Sequence, residues 1–208
     1  MNGGDLAASN VVFRVERQMK WHEFTDHDSY TAFIEVVDNH VSVVLDDSEH
    51  YFTAQQCAEV TKCLVRMLLT YSHLGVFQGC AESILQLETY ASWYQLIQAR
   101  SLSAERDSLQ IYESGNKGFE FCASGSFRHP ESLPGEPTYY KLAIALDDDL
   151  NLPCLSIDGR TFPFDFDETF WLAEQLWVAG NLVTHTEQPI NFTVKVPWIN
   201  EEGQLVLM

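Results

Sequence analysis

Residues 36–56, VVDNHVSVVLDDSEHYFTAQQ, contain the pattern that decides the fold class. Two valine-rich runs flank a turn at Asp38–His40, and this is the pattern of a β-hairpin. Asp46–Glu49 then forms an acidic turn that closes the hairpin. Behind it, Thr53 and Gln56 have the spacing of a capping box, in which both side chains satisfy free N–H groups at a helix N-terminus. The stretch therefore predicts a hairpin that leads directly into a capped helix.

Two helices are expected after this cap. Apolar residues recur at three- and four-residue spacing, which predicts one buried helical face; they are Cys57, Val60, Leu64, Met67, Leu68 and Tyr71. A second periodic segment spans residues 80–99, and His73–Gly75 separates the two. Because the connection is short, we expect an antiparallel helical pair in the middle of the chain.

The second half predicts further hairpins and one more helix. Strand-like alternation marks residues 109–121 and 139–157, and residues 190–198 form a last predicted strand. Asp165 and Glu168 repeat the capping-box spacing, and the helix behind them is expected to stop at Gly180–Asn181. The predicted fold class is α+β, with antiparallel β-hairpins, a helical pair in the middle and one further helix near the C-terminus.

The two capped helices suggest an internal repeat within a single globular domain, residues 1–208. Placing Phe52 on Phe164, 112 residues further along, aligns two ββα-type units at residues 30–71 and 140–181. Only three of the thirty aligned pairs from Val41 to Thr70 are identical, which is close to chance. The alternative is that any two ββα units share this order without a common origin.

The charge of the chain restricts its partners. The 208 residues carry 30 Asp and Glu against 12 Lys and Arg, a net charge of −18. Such a field repels phosphate groups, so we expect neither direct nucleic-acid binding nor binding to an anionic membrane. It attracts a basic protein, although acidity can also serve solubility alone. A homodimer is a further assembly that this composition allows.

The cysteines and the N-terminus bear on the compartment. The five cysteines include no C-x-x-C pair, which favours free thiols in a reducing, cytoplasmic environment. Met1–Asn10 lacks the basic start and apolar run of a signal peptide, and no stretch has the apolar length of a membrane span. We therefore expect a soluble cytoplasmic protein.

Two clusters have ligand-like residues, and neither matches a known metal motif well. His22, Asp26 and His27 could share a face, but no second ligand group stands at a recognised spacing. Asp147–Asn151 resembles the start of a calcium loop with Asp158 near its end, yet the required glycine is missing. Nucleotide-binding and hydrolase motifs are also absent. No metal, cofactor or catalytic residue is predicted.

The leading functional hypothesis is an acidic protein-binding factor that neutralises a basic partner. It would act as an inhibitor, an immunity protein or an anti-defence factor, and would cover the phosphate-binding surface of a nucleic-acid-binding protein. The expected contact residues are acids on turns and tryptophan anchors: Asp46, Asp47, Glu49, Asp147, Asp148, Asp149, Trp171 and Trp177. The alternatives are a homodimeric chaperone for a secreted protein and an enzyme of unrecognised type.

Overall fold

A computed structural model shows that the chain forms two antiparallel sheets, each followed by a helix. The structure describes residues 11–22, 29–73, 109–114, 120–130, 132–133, 135–147, 152–186, 197–199 and 205–207. The first half contains a four-stranded sheet and helix α1: β1 (Val11–Lys20), β2 (Ser29–Val37), β3 (His40–Leu45), β4 (Ser48–Phe52) and α1 (Ala54–His73). The second half contains a five-stranded sheet and helix α2: β5 (Gln110–Ser114), β6 (Glu120–Arg128), β7 (Tyr139–Asp147), β8 (Leu152–Ile157), β9 (Arg160–Pro163) and α2 (Phe166–Thr186). A small hairpin follows: β10 (Pro197–Ile199) and β11 (Leu205–Leu207).

The predicted α+β class and its hairpins are confirmed. Strands β2 and β3 pair around the turn after Val37, as the valine-rich runs indicate. The expected acidic turn Asp46–Glu49 is too long, because β4 already begins at Ser48. Asp46 has a φ of 57°, in the left-handed region that aspartate tolerates, and this lets the chain reverse within two residues.

Both capping boxes are present. Thr53 Oγ1 accepts a hydrogen bond from the Gln56 N–H at 3.2 Å, and the Thr53 N–H donates to Gln56 Oε1 at 2.9 Å. The Asp165 N–H likewise donates to Glu168 Oε2 at 2.8 Å, and Asp165 Oδ1 accepts the Glu168 N–H at 2.9 Å. Each box fixes the point where its helix begins.

The expected helix end at Gly180–Asn181 is wrong, because α2 continues to Thr186. Gly180 serves helix packing: a Cβ atom there would lie 2.8 Å from the Cβ of Cys57 on α1. Asn181 stays inside the helix and donates its side-chain N–H to the carbonyl of Trp177 at 2.7 Å. The predicted helix over residues 80–99 lies outside the described residues, as does the predicted strand before Pro197.

The two halves match in register as well as in order. Met19 on β1 pairs with Tyr30 on β2, and Phe127 on β6 pairs with Tyr140 on β7. Strands β3 and β4 correspond in the same way to β8 and β9. Strand β5, which pairs with the outer edge of β6, has no counterpart beside β1 among the described strands.

Each helix packs against the sheet of the other half. Helix α2 contacts β1, β2 and β3 and also β8 of its own half, and α1 contacts β6 and β7 as well as its own β3 and β4. The helices also contact each other, and the Thr61 hydroxyl donates to the carbonyl of Ala173 at 3.2 Å. Both sheets and both helices contribute to one continuous apolar core. None of the helices in the described part of the chain has the length and apolar character needed to cross a membrane.

Candidate functional site

The acidic turn Asp46–Asp47 contacts the second half of the molecule through Arg160. The guanidinium of Arg160 hydrogen-bonds the carboxylates of Asp46 and Asp47 and the hydroxyl of Ser48. The hydrogen bond and the positive charge of Arg160 hold the pKa of Asp47 below its usual value. Two of the predicted partner-binding acids are thus already paired within the chain.

Glu49 lies beside this turn and remains on the surface. Its side chain is exposed, and Oε1 accepts a 2.7 Å hydrogen bond from the hydroxyl of Ser42, which is itself buried. The hydrogen bond orients the carboxylate on the outer face of the first sheet. Asp47 is also exposed, but Asp46 and Asp47 are paired with a cation, whereas Glu49 has no ion pair among the described residues; Glu49 is therefore the better candidate for an external charge contact.

The three acids Asp147, Asp148 and Asp149 belong to the connection between β7 and β8. Asp147 is the last residue of β7, and Asp148 and Asp149 lie outside the described residues. Asp158, the last of the suggested calcium ligands, stands at the opposite end of β8, where Oδ1 accepts the Lys141 N–H at 2.7 Å. The strand therefore separates Asp158 from Asp147, so the two do not close one cation loop.

The two predicted tryptophan anchors differ in burial. Trp177 is 4% exposed and belongs to the core, whereas Trp171 is half-buried and packs against the core from its margin. A partner can reach part of the Trp171 ring without unfolding α2. Of the two predicted anchors, Trp171 is the one that a partner could contact.

His22 meets two carboxylates that sequence spacing did not group with it. Its Nε2 lies 2.8 Å from Oε2 of Glu168, and ligand atoms of His22, Asp165 and Glu168 lie within 4.8 Å of one another. The other suggested ligands, Asp26 and His27, lie outside the described residues. His22 and Glu168 are 146 positions apart, so no local pattern could have joined them.

Hydrogen bonds within the chain explain this cluster without a metal. Glu168 is 2% exposed and accepts the N–H groups of Lys20 and Asp165, both at 2.8 Å. Asp165 accepts the Glu168 N–H and, at 3.3 Å, the ammonium of Lys20. A cation would have to displace these donors. The arrangement is the cap of α2, extended to hold the end of β1.

A shallow groove of about 460 Å³ lies on the outer face of the second sheet. Its lining combines small residues, three serines and one lysine: Ser124, Gly125, Ser126, Lys141, Leu142, Ala143, Ser156 and Gly159. These lining residues include no acid, histidine or cysteine, and the described thiols of Cys57 and Cys63 are buried elsewhere. Burial raises the pKa of Cys63 to about 12, so the thiol stays protonated and is a poor nucleophile.

Comparison of the chain with protein-family models, curated proteins and solved structures found no match.

Proposed function

We propose that this chain is a non-catalytic acidic factor that binds and neutralises a basic protein. The observation that carries the proposal is the balance of charges. With 30 acids and 12 Lys and Arg, the acids exceed the available cations by 18 even if every cation pairs with one acid. The excess negative charge has no Lys or Arg in the chain to neutralise it and would attract a basic surface.

The described cations strengthen this argument because most are already bound to acceptors in the chain. Arg17 donates to the carbonyl of Asp167 at 3.2 Å. Four more form ion pairs: Arg14 with Glu35, Lys20 with Asp165, Lys62 with Glu59, and Arg160 with Asp46 and Asp47. An approaching basic protein therefore meets mainly carboxylates, and at moderate salt it senses their field within about 10 Å.

The proposed contact surface combines two side chains that the fold leaves accessible, Glu49 and Trp171, with the predicted acidic residues 147–149. Glu49 is oriented outward, Trp171 is partly exposed, and Asp147 ends β7 at the acidic connection that continues with Asp148 and Asp149. In the proposed mechanism, the carboxylates occupy positions that phosphates take on the partner, and Trp171 supplies an apolar anchor. Asp46 and Asp47 instead form ion pairs with Arg160 of the second half.

We also propose a cytoplasmic location. The described cysteines Cys57, Cys63, Cys122 and Cys154 are all free thiols, which suits a reducing compartment.

The test is capture of partners from native lysate, followed by affinity measurements with the purified partner over a range of salt. We expect a basic protein whose affinity falls steeply as salt rises. Changing Asp147, Asp148 and Asp149 together to Asn should weaken binding by about tenfold or more, because close charge pairs at an interface couple strongly.

A matched control removes the same charge elsewhere. Asp38, Glu136 and Asp158 are exposed acids outside the proposed contact surface, and changing all three to their amides lowers the net negative charge equally. A difference between the two triple variants therefore reports the position of the charges. Glu49→Gln measures the contribution of that residue separately. An affinity that ignores both salt and the aspartates contradicts the proposal and favours the homodimeric chaperone, which binds extended segments largely through apolar and backbone contacts.

A further inference from the structure

The first sheet has an open edge at β1. Its strand order is β1-β2-β3-β4, and no described strand pairs with the side of β1 that faces away from β2. The matching strand of the second half, β6, has that side covered by β5. The position beside β6 is thus occupied by a strand in the second sheet, whereas no described strand occupies the equivalent position beside β1 in the first sheet.

The edge is long and regular enough to accept a strand. β1 has ten residues, and its pairing with β2 is in constant register from Phe13 to Lys20. At its start, Val11 and Val12 are 47% and 61% exposed. An edge of this length presents a row of N–H and C=O groups that templates the addition of another strand.

We propose that β1 pairs with β1 of a second copy, antiparallel and around a two-fold axis at Val15. In this register Arg14 of one copy lies opposite Glu16 of the other, and the same pair recurs on the far side of the axis. Residues directly opposite each other share a face, with Cβ atoms about 4.5–5.5 Å apart. The strand is therefore complementary in charge to itself.

The surroundings of Arg14 support this register. Arg14 already pairs with Glu35 on β2, its register partner, and its guanidinium lies 4.5 Å from the centre of the Phe33 ring. Glu16 of the second copy then adds a third charge to this pair. The resulting row runs across the strands from Glu35 to Arg14 of one copy and on to Glu16 of the other, and the sign of the charge alternates along it. The row lies on the outer face, where Arg14 and Glu16 are both exposed. The pairing also covers Val11 and Val12 and joins the two four-stranded sheets into one.

This inference is independent of the proposed acidic partner, because it depends on β1 and not on the acidic connection after β7. Sedimentation of the full chain tests it. We expect a dimer for the natural sequence. Arg14→Glu places like charges opposite each other, and so does Glu16→Arg, so each variant should dissociate at least about tenfold more readily.

Mixing the two variants makes the test specific. In the proposed register, positions 14 and 16 are both acidic in the Arg14→Glu chain and both basic in the Glu16→Arg chain. Opposite charges then face each other at both pairs, so an equimolar mixture should form a heterodimer. A variant that is merely misfolded would not be rescued by mixing. Lys141→Glu alters the net charge as Arg14→Glu does, lies on the second sheet and should leave the dimer intact.

Three results would overturn the proposal. The natural chain could sediment as a monomer, both single variants could remain dimers, or the mixture could remain monomeric although each variant has the circular dichroism spectrum of the natural chain.

Discussion

His50 and Phe162 occupy corresponding positions in the two halves, and they differ in polarity. Phe162 packs against Tyr30, with ring centroids 6.4 Å apart, and His50 packs against Tyr140 at the same distance. Nε2 of His50 is buried without a hydrogen-bond partner among the described residues. Burial lowers the pKa of His50 below 6.5, because the imidazolium loses its hydration. The imidazole is thus held neutral at a position where the other half has a phenyl ring.

This difference predicts how His50 contributes to the pH dependence of stability. The unfolded chain binds a proton near pH 6.5 and the folded chain binds it only at lower pH, so stability is fully present above 6.5 and decreases as the pH falls. His50→Phe should remove that loss and raise the free energy of unfolding by about 1 kcal/mol, since a buried unpaired nitrogen disappears. Urea unfolding at pH 7.5 and 5.5 measures both effects. Equal pH dependence in the variant and the natural chain would contradict this assignment.

The capped helices show what a local sequence pattern can establish. Each capping box lies within four residues, and both form as expected, at Thr53–Gln56 and Asp165–Glu168. Each capping box also forms a hydrogen bond with the other half of the molecule. The Gln56 side chain donates to the carbonyl of Arg128 at 2.8 Å, and Glu168 accepts the Lys20 N–H. The local motif was predictable, but its second partner depends on how the two halves meet.

The two caps should therefore differ in their contribution to stability. Thr53→Ala removes one acceptor and should lower the free energy of unfolding by about 1 kcal/mol. Asp165→Ala should cost more, because its carboxylate also pairs with Lys20 and lies at the positive end of the α2 dipole. Urea midpoints of both variants measure the difference, with Thr53→Ser as the control that keeps a hydroxyl cap. A larger loss for Thr53→Ala than for Asp165→Ala would contradict this order.

Short or polar strands escaped prediction for a physical reason. Strands β4 and β9 are five and four residues long, and the acidic stretch Asp46–Glu49, which overlaps the start of β4, resembles a turn. On β1, charged or polar residues occupy the outer face, and Arg17 on the inner face reaches the N-terminal turn of α2. Their strand geometry comes from pairing with β3, β8 and β2. Such pairing is a contact between segments and not a property of one segment.

At the scale of the whole molecule, the arrangement of the halves decides which acids are available. The sequence places Asp46, Asp47, Glu49 and Trp177 on equal terms as contact residues, because all stand in plausible surface patterns. In the fold, these residues have different environments. Arg160, 113 positions after Asp47, binds the two aspartates, and Trp177 is buried in the core. Only the packing of one half on the other could reveal these differences. The net charge, in contrast, was readable from composition alone.

The contact of Arg160 with Asp46 and Asp47 should couple the two halves. Arg160 also lies over Phe162, with its guanidinium carbon 5.3 Å from the ring centre, so the side chain is held in place by packing as well as by charge. Arg160→Met keeps much of the apolar stem but leaves two neighbouring carboxylates without a cation, and we expect a lower urea midpoint. The loss should shrink as salt rises, because the pair is near the surface and is screened.

A double-mutant cycle with Asp47→Asn isolates the coupling. The lowered pKa of Asp47 means that its ion pair contributes above pH 3.8, its usual pKa, and that the contribution disappears as the pH falls further. The coupling energy between Arg160→Met and Asp47→Asn should therefore be favourable at pH 7 in low salt, smaller at high salt, and absent under acidic conditions where Asp47 is protonated. Additive effects at pH 7 in low salt would show that the ion pair of Arg160 and Asp47 does not couple the two halves. In that case Asp46 and Asp47 would be as available to a basic partner as Glu49.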